Sequence, residues 1–320
     1  MIDKLPIRKR LRRAILYTVA IVVVTAAVLL SLARVLISDV KAYHFDIEQI
    51  ASAFLDHPVK IESMDARFVG MTPTLVFHHV RLLDKTGKFE LVSFKQAELG
   101  IAVLTSLRAE KVVPDKMVIE GINLGVTRTK NGNIQIQGVD ITKLGETALP
   151  LRVGQSNELA NWLFRRSHLA LRQSSLIWKD MQRGGVVRHF TDVNLQLLND
   201  EDKHALSGSI SLPSSLGTKL EFGLDIQGDV QQPVNWVGEF YLRGDAINLG
   251  EWQKQLPEQK GIGISSGILD IKLWGQLQQG RLSRLSGDIA AYKLLVNAPF
   301  IKGTLDFRML GGLFDYHSKE

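Results

Sequence analysis

The feature that most constrains this chain is a period of two that recurs through 59–296. In 219–227, Leu220, Phe222, Leu224 and Ile226 alternate with Lys219, Glu221 and Asp225. In 236–243, Trp236, Phe240 and Leu242 share one parity, and in 269–273 Leu269, Ile271 and Leu273 do, with Asp270 and Lys272 between them. Successive side chains of a strand point to opposite faces, so each segment carries one apolar and one wet face. That combination belongs to antiparallel sheets. Alternation does not say what lies against the apolar face. A sandwich would cover it with a second sheet; a single curled sheet would leave it lining a groove.

Further strands are predicted at 74–82, 89–91, 96–104 (Leu99, Ile101 and Val103 on one face) and 116–128. In the last of these Val118, Ile122, Leu124 and Val126 share a side on which Glu120 does not fit. Segments 168–172 and 175–179 surround a tight corner that turns Leu169, Leu171, Leu176 and Trp178 inward, and strands continue at 187–198, 205–212 and 285–296. Asp84-Lys85-Thr86-Gly87, Asn131-Gly132-Asn133 and Arg183-Gly184-Gly185 supply turn chemistry between them. A short helix is expected over 45–55, where Ile47, Ile50, Ala51, Phe54 and Leu55 repeat at helical spacing, packed on the end of the sheet. Two more are expected at 158–166 and 248–256. Pro58 closes the first, because the residue before proline avoids the α region.

Ahead of the strands, 14–33 contains no charged residue, and Leu, Ile, Val and Ala dominate 14–37. About 20 apolar residues span the ~30 Å core of a bilayer as a helix. Arg8, Lys9, Arg10, Arg12 and Arg13 precede the segment; with Lys4 and Asp3 they make the first thirteen residues +5 of the chain's +6. The basic balance is therefore a topology signal, and it removes the nucleic-acid reading. Under the positive-inside rule 1–13 is a cytoplasmic tail, 14–37 a single transmembrane helix, and the body lies beyond the inner membrane in the periplasm. Cleavage after Ala33 as a signal peptide is the competing reading, but the apolar run exceeds the usual h-region of about 7–15 residues.

Catalytic chemistry finds no support in the residues. With no cysteine, thiolate and zinc-ribbon chemistry are absent. The glycines of 261–267 lead into a strand rather than a helix, which is the wrong geometry for a dinucleotide. His78 and His79 are adjacent and would point to opposite faces, so no metal is expected there. Ser207-Gly208-Ser209 is not a nucleophile elbow. The reading is of a non-enzyme without cofactor or metal.

The succession Pro73-Thr74-Leu75, Val80-Arg81-Leu82 with Gly87, Leu99 to Val103 with Leu107, and Val118 to Arg128 with Asn131-Gly132-Asn133 resembles the N-terminal module of AsmA-like proteins. Relatives often carry a Trp-Asn-like pair after the turn glycine; this chain has Asn133 and no Trp. Further on, Leu163-Phe164-Arg165-Arg166, Leu169-Ala170-Leu171-Arg172 with Ser175 and Trp178, Leu198-Asn199-Asp200 with His204, and Gly244-Asp245-Ala246-Ile247-Asn248-Leu249 with Trp252 are similar to the YhdP branch of that family. Members of that branch are longer, so the resemblance implies a membrane-proximal fragment.

The organisation expected is an AsmA-like β module over 38–138, a linker over 139–156, and a continuing β-groove region over 157–320. The resemblance to repeating β-groove lipid-transfer proteins implies an open apolar face lined by Leu220, Phe222, Leu224, Ile226, Phe240, Leu242, Leu269, Ile271 and Leu273. It further implies phospholipid as cargo between inner and outer membrane, and an outer-membrane or periplasmic protein partner. A membrane-tethered scaffold for outer-membrane protein assembly is the alternative.

Overall fold

A computed structural model describes residues 43–55, 57–70, 72–110, 113–136, 139–140, 166–229, 232–254, 263–297 and 303–318. The expected tail and span (1–13 and 14–37), nearly all of the linker and helix 158–166 lie outside them. No helix among the described residues is long and apolar enough to cross a membrane.

Sixteen strands among the described residues form one sheet. The first group is β1 (Val59–Lys60), β2 (Ser63–Val69), β3 (Thr72–Leu83), β4 (Glu90–Ile101), β5 (Pro114–Glu120), β6 (Asn123–Arg128), β7 (Ile134–Ile136) and β8 (Val139–Asp140). The second is β9 (Arg166–Asp180), β10 (Val186–Asp200), β11 (Lys203–Ser211), β12 (Lys219–Gln227), β13 (Val237–Asn248), β14 (Gly263–Gln278), β15 (Arg281–Asn297) and β16 (Thr304–His317). From β9 to β16 every strand pairs antiparallel with its successor in sequence.

The sheet is not antiparallel throughout. β5 and β6 both lie parallel to β9, pairing with its first and second halves respectively. Parallel neighbours need a long crossover, and the chain between β6 and β9 supplies one. The strand expected over 116–128 is thus two strands. Between them Gly121 takes φ 70°, which glycine alone adopts without cost. The break shifts the alternation by one: Ile119 pairs Leu171, and Leu124 and Val126 pair Leu176 and Trp178 on that same face. Val118, paired with Ala170, points the other way, which accounts for the misfit of Glu120.

A line of irregularities crosses the sheet at this level. His79, Gln173, Asp192, Ala246 and Lys293 all have φ of 46–50° inside long strands. His79 faces the β4 segment next to Gln96, Gln96 pairs Glu120 beside Gly121, and Glu120 pairs Arg172 beside Gln173. A non-glycine residue in the left-handed region costs about 1–2 kcal/mol, and local hydrogen bonds hold two of these. The Gln173 amide donates to Asn194 Oδ1 (3.0 Å) and the Ala246 amide to Asp270 Oδ1 (2.7 Å). The tight corner expected in 168–179 is one of these bulges within β9, and it leaves Leu171, Ser174 and Leu176 facing the same way. Bulges bend strands and raise their twist, so the line is a crease.

Among the described residues three α-helices accompany the sheet: α1 (His44–Leu55), α2 (Val103–Ala109) and α3 (Leu249–Gln253). The strand expected to run through Val103 ends at Ile101, and Val103 opens α2. In α3, shorter than expected, Asn248 caps the start by accepting from the Glu251 amide, and Trp252 donates to Leu216 O (3.0 Å). α1 packs Ile47 and Ala51 onto a small core of Val59, Ile61 and Val80, with Phe77, Leu82 and Phe94 around it. Ile50 and Leu55 of the same helix are exposed. A polar clamp fixes α1: Glu48, buried, accepts from the Ile61 amide (2.7 Å) and Lys60 (3.0 Å), and Ser52 accepts from the Val59 amide (2.8 Å).

Candidate functional site

Cross-strand partners project on the same side of a sheet, so the register alone defines its faces. One ladder runs from Leu75 through Leu99, Met117 and Leu169 to Leu197. It continues through Leu206, Leu224, Phe240 and Gly275 to Leu285 and Tyr316. No polar side chain interrupts it before the tyrosine. A second ladder, two residues along each strand, links Phe77, Ala97, Ile119, Leu171 and Leu195 to Gly208, Phe222, Leu242, Leu273, Gly287 and Phe314. Ten inter-strand steps of about 4.8 Å give this apolar band a length of about 48 Å.

All nine predicted groove residues lie on this face. Leu224 and Phe240 belong to the first ladder and Phe222, Leu242 and Leu273 to the second. Leu220 and Ile271 flank Gly244 in a third ladder, Leu269 pairs Ile247 and Ala291, and Ile226 lies beside Gly238. Four rows from Ile226 to Leu220, at about 6.8 Å per residue pair, make the face about 20 Å wide.

No second sheet is present among the described residues, so the sandwich alternative does not hold there. Only Ile226 of the nine is buried, at 4 % exposure; the others are half-buried. Sequence reasoning did not include the first-half members of the ladders, Leu75 to Leu171, among the groove residues. Their alternation was visible, but only register joins them to the later strands.

Across the meander the opposite face is charged. Ser209, Glu221, Arg243, Lys272 and Asp288 form one ladder. Lys219 pairs with Glu221 (2.6 Å), Arg243 with Asp245 (2.9 Å), and Arg284 with Asp315 (2.7 Å). The carboxylates beside Arg243 and Arg284 raise both guanidinium pKa values, and Arg284 lowers that of Asp315. Trp274 stands on this side too, 46 % exposed and tilted against Tyr241 at 5.6 Å. It therefore points away from the apolar face.

A second buried carboxylate, besides Glu48, sits at the parallel junction. Asp180, 1 % exposed, receives Arg128 of β6 through both carboxylate oxygens and also accepts from the Gln182 amide. Burial pushes the Asp180 carboxyl up, but Arg128 and the backbone amides outweigh it, and the net shift is downward.

The other sequence candidates do not converge. Among the described residues no three His, Asp or Glu gather as a metal would require. His78 faces Asp65 (3.4 Å) and His79 faces Glu62 (3.1 Å). Ser207 and Ser209 lie mid-strand in β11, and residues 261–262 of the glycine-rich segment lie outside the described residues. What the arrangement offers chemically is a long apolar surface backed by a charged one.

No curated protein matches the chain. Residues 1–319 match the family model described as YhdP protein, and with its single open, mainly β sheet the chain belongs to the YhdP family, within the AsmA-like proteins.

Proposed function

We propose that this chain is a segment of a phospholipid conduit: a sheet, curled along its crease, whose apolar face is a trough for acyl chains. The observation that carries the reading is the uninterrupted apolar ladder with no second sheet over it among the described residues. On β14, Leu269, Ile271, Leu273 and Leu277 are half-buried, while Asp270, Lys272, Trp274 and Gln276 behind them are exposed. Side chains converge on the inside of a bend and splay on the outside, which favours a concave apolar face.

Each CH₂ kept from water contributes about 0.8 kcal/mol, so an acyl chain of about 16 carbons loses on the order of 13 kcal/mol on entering water. A continuous trough removes that barrier without covalent chemistry. Head groups stay in solvent at the open side. The segment 14–37 holds the chain in the inner membrane with 1–13 in the cytoplasm and the body in the periplasm, and the cargo passes toward the outer membrane.

The test is native mass spectrometry of the full chain extracted with its lipid, together with photo-crosslinkers at Phe222 and Ile271. Phospholipid retained in the first and crosslinked in the second is the expected result; capture of protein alone at both positions would sink the conduit. The scaffold alternative draws on one observation: β16 pairs on one side only among the described residues and exposes Met309, Leu313 and Tyr316, and such an edge can accept another strand.

A further inference from the structure

We infer that three phenylalanine–glycine pairs set the clearance of the trough and thereby fit it to two-chain lipids; the inference rests on the conduit reading. Gly208 pairs Phe222, Gly275 pairs Phe240 and Gly287 pairs Phe314, each directly across two neighbouring strands of the apolar face. In each pair the ring leans over the glycine. A methyl carbon added at 208 would lie 2.7 Å from Phe222 Cζ, and at 275 and 287 it would fall against the ring carbons of Phe240 and Phe314.

The backbone does not ask for glycine here, since none of the three has a positive φ. Elsewhere in the chain Gly121 and Gly184 do, for their turns. At 275 the three nearest atoms all belong to the ring, which therefore requires the missing side chain; at 208 Leu195 Cδ2 (2.6 Å) and Asn194 O (2.9 Å) crowd the same position beside the ring, and at 287 Leu273 Cδ2 (2.8 Å) does. A ring over bare backbone raises the floor by about one van der Waals thickness, about 3.5–4.0 Å. A ring forced upright projects its full length into the trough.

The pairs fall on β11–β12, β13–β14 and β15–β16 and alternate between the second and the first ladder, so their centres lie about 12 Å apart. At that interval one upright ring would obstruct a chain whose neighbours on either side remain free. The rings thus keep the aromatic surface that holds acyl chains while leaving room for a second chain alongside the first.

The experiment uses the full chain with vesicles of dioleoyl phosphatidylglycerol or micelles of oleoyl lysophosphatidylglycerol, reading lipid captured per chain. For Gly275→Ala with Gly287→Ala we expect unchanged circular dichroism, diacyl capture down about tenfold and single-chain capture changed less than about twofold. Adding Phe240→Leu and Phe314→Leu removes the raised rings and restores diacyl capture. Equal diacyl capture by wild type and the glycine variants, an equal fall for both lipids, or no rescue would overturn the floor. Should the glycine variants misfold, the Gly275 Hα resonance decides: a high-field ring-current shift in wild type, lost in Phe240→Leu, is expected, and its absence in wild type refutes the pairing. Wild type that takes up neither lipid would overturn the conduit reading, and this inference with it.

Discussion

The helix-capped corner at β1 and β3 and the meander from β9 to β16 treat the same kind of apolar surface in opposite ways. At the corner, α1 covers Val59, Ile61 and Val80, and a buried carboxylate locks the helix down. In the meander the equivalent face of Phe222, Leu224 and Leu273 has no second sheet over it among the described residues and stays half-buried. The difference teaches that alternation alone does not define a core. Coverage does, and here α1 supplies it only at the corner.

Placing the same charge in both regions should separate them most. Val80→Glu buries an unpaired carboxylate under α1 and should cost about 5 kcal/mol or more, seen as loss of the native urea transition. Leu224→Glu has solvent to turn toward. It should leave a folded chain by circular dichroism while lipid capture falls by at least about tenfold. Unfolding of Leu224→Glu would mean that the face is covered after all.

Asp180→Ala comes next. It leaves Arg128, whose side chain is 26 % exposed, without its partner at the parallel junction, and should cost about 3 kcal/mol in urea titration. Glu48→Gln is milder, about 1 kcal/mol near neutral pH, and its effect depends on pH. Burial pushes the Glu48 carboxyl up, yet the Ile61 amide and Lys60 outweigh it, so its folded pKa lies below the ordinary 4.5. A depressed carboxylate stabilises fully above that ordinary value, and the contribution is lost as pH falls through the folded one. The wild-type advantage over Glu48→Gln should therefore be constant near neutrality and shrink below pH 4.5. An advantage independent of pH would break the clamp.

Arg284→Ala should do least. Its bidentate pair with Asp315 is exposed on both sides, 44 % and 42 %, and such pairs are weak and screened. No shift in thermal midpoint at physiological salt is the expected outcome, and a clear loss would show that the charged face matters to the fold.

The apolar face of 219–227 and 269–273 was legible because every second residue declares it. The phase break at Gly121 was legible only as Glu120 out of place. The crease was not, since His79, Gln173, Asp192, Ala246 and Lys293 share a backbone conformation but no residue type. Nor was the parallel junction, because alternation is the same whichever way a neighbour runs. The Phe–Gly pairs needed register: Phe240 and Gly275 are far apart in sequence and become partners only once β13 and β14 are aligned.

From β9 onward each strand finds its partner in the strand just made. Contacts between sequence neighbours carry little loop-closure cost, and arrays of this kind propagate stepwise. A chain that emerges N-terminal end first from synthesis can therefore add one strand at a time to a finished edge, without waiting for its far end. Only the junction of β5 and β6 with β9 must wait, because its partner arrives after a long crossover. That junction closes the longest loop in the sheet, and loop-closure cost makes it the expected slow step.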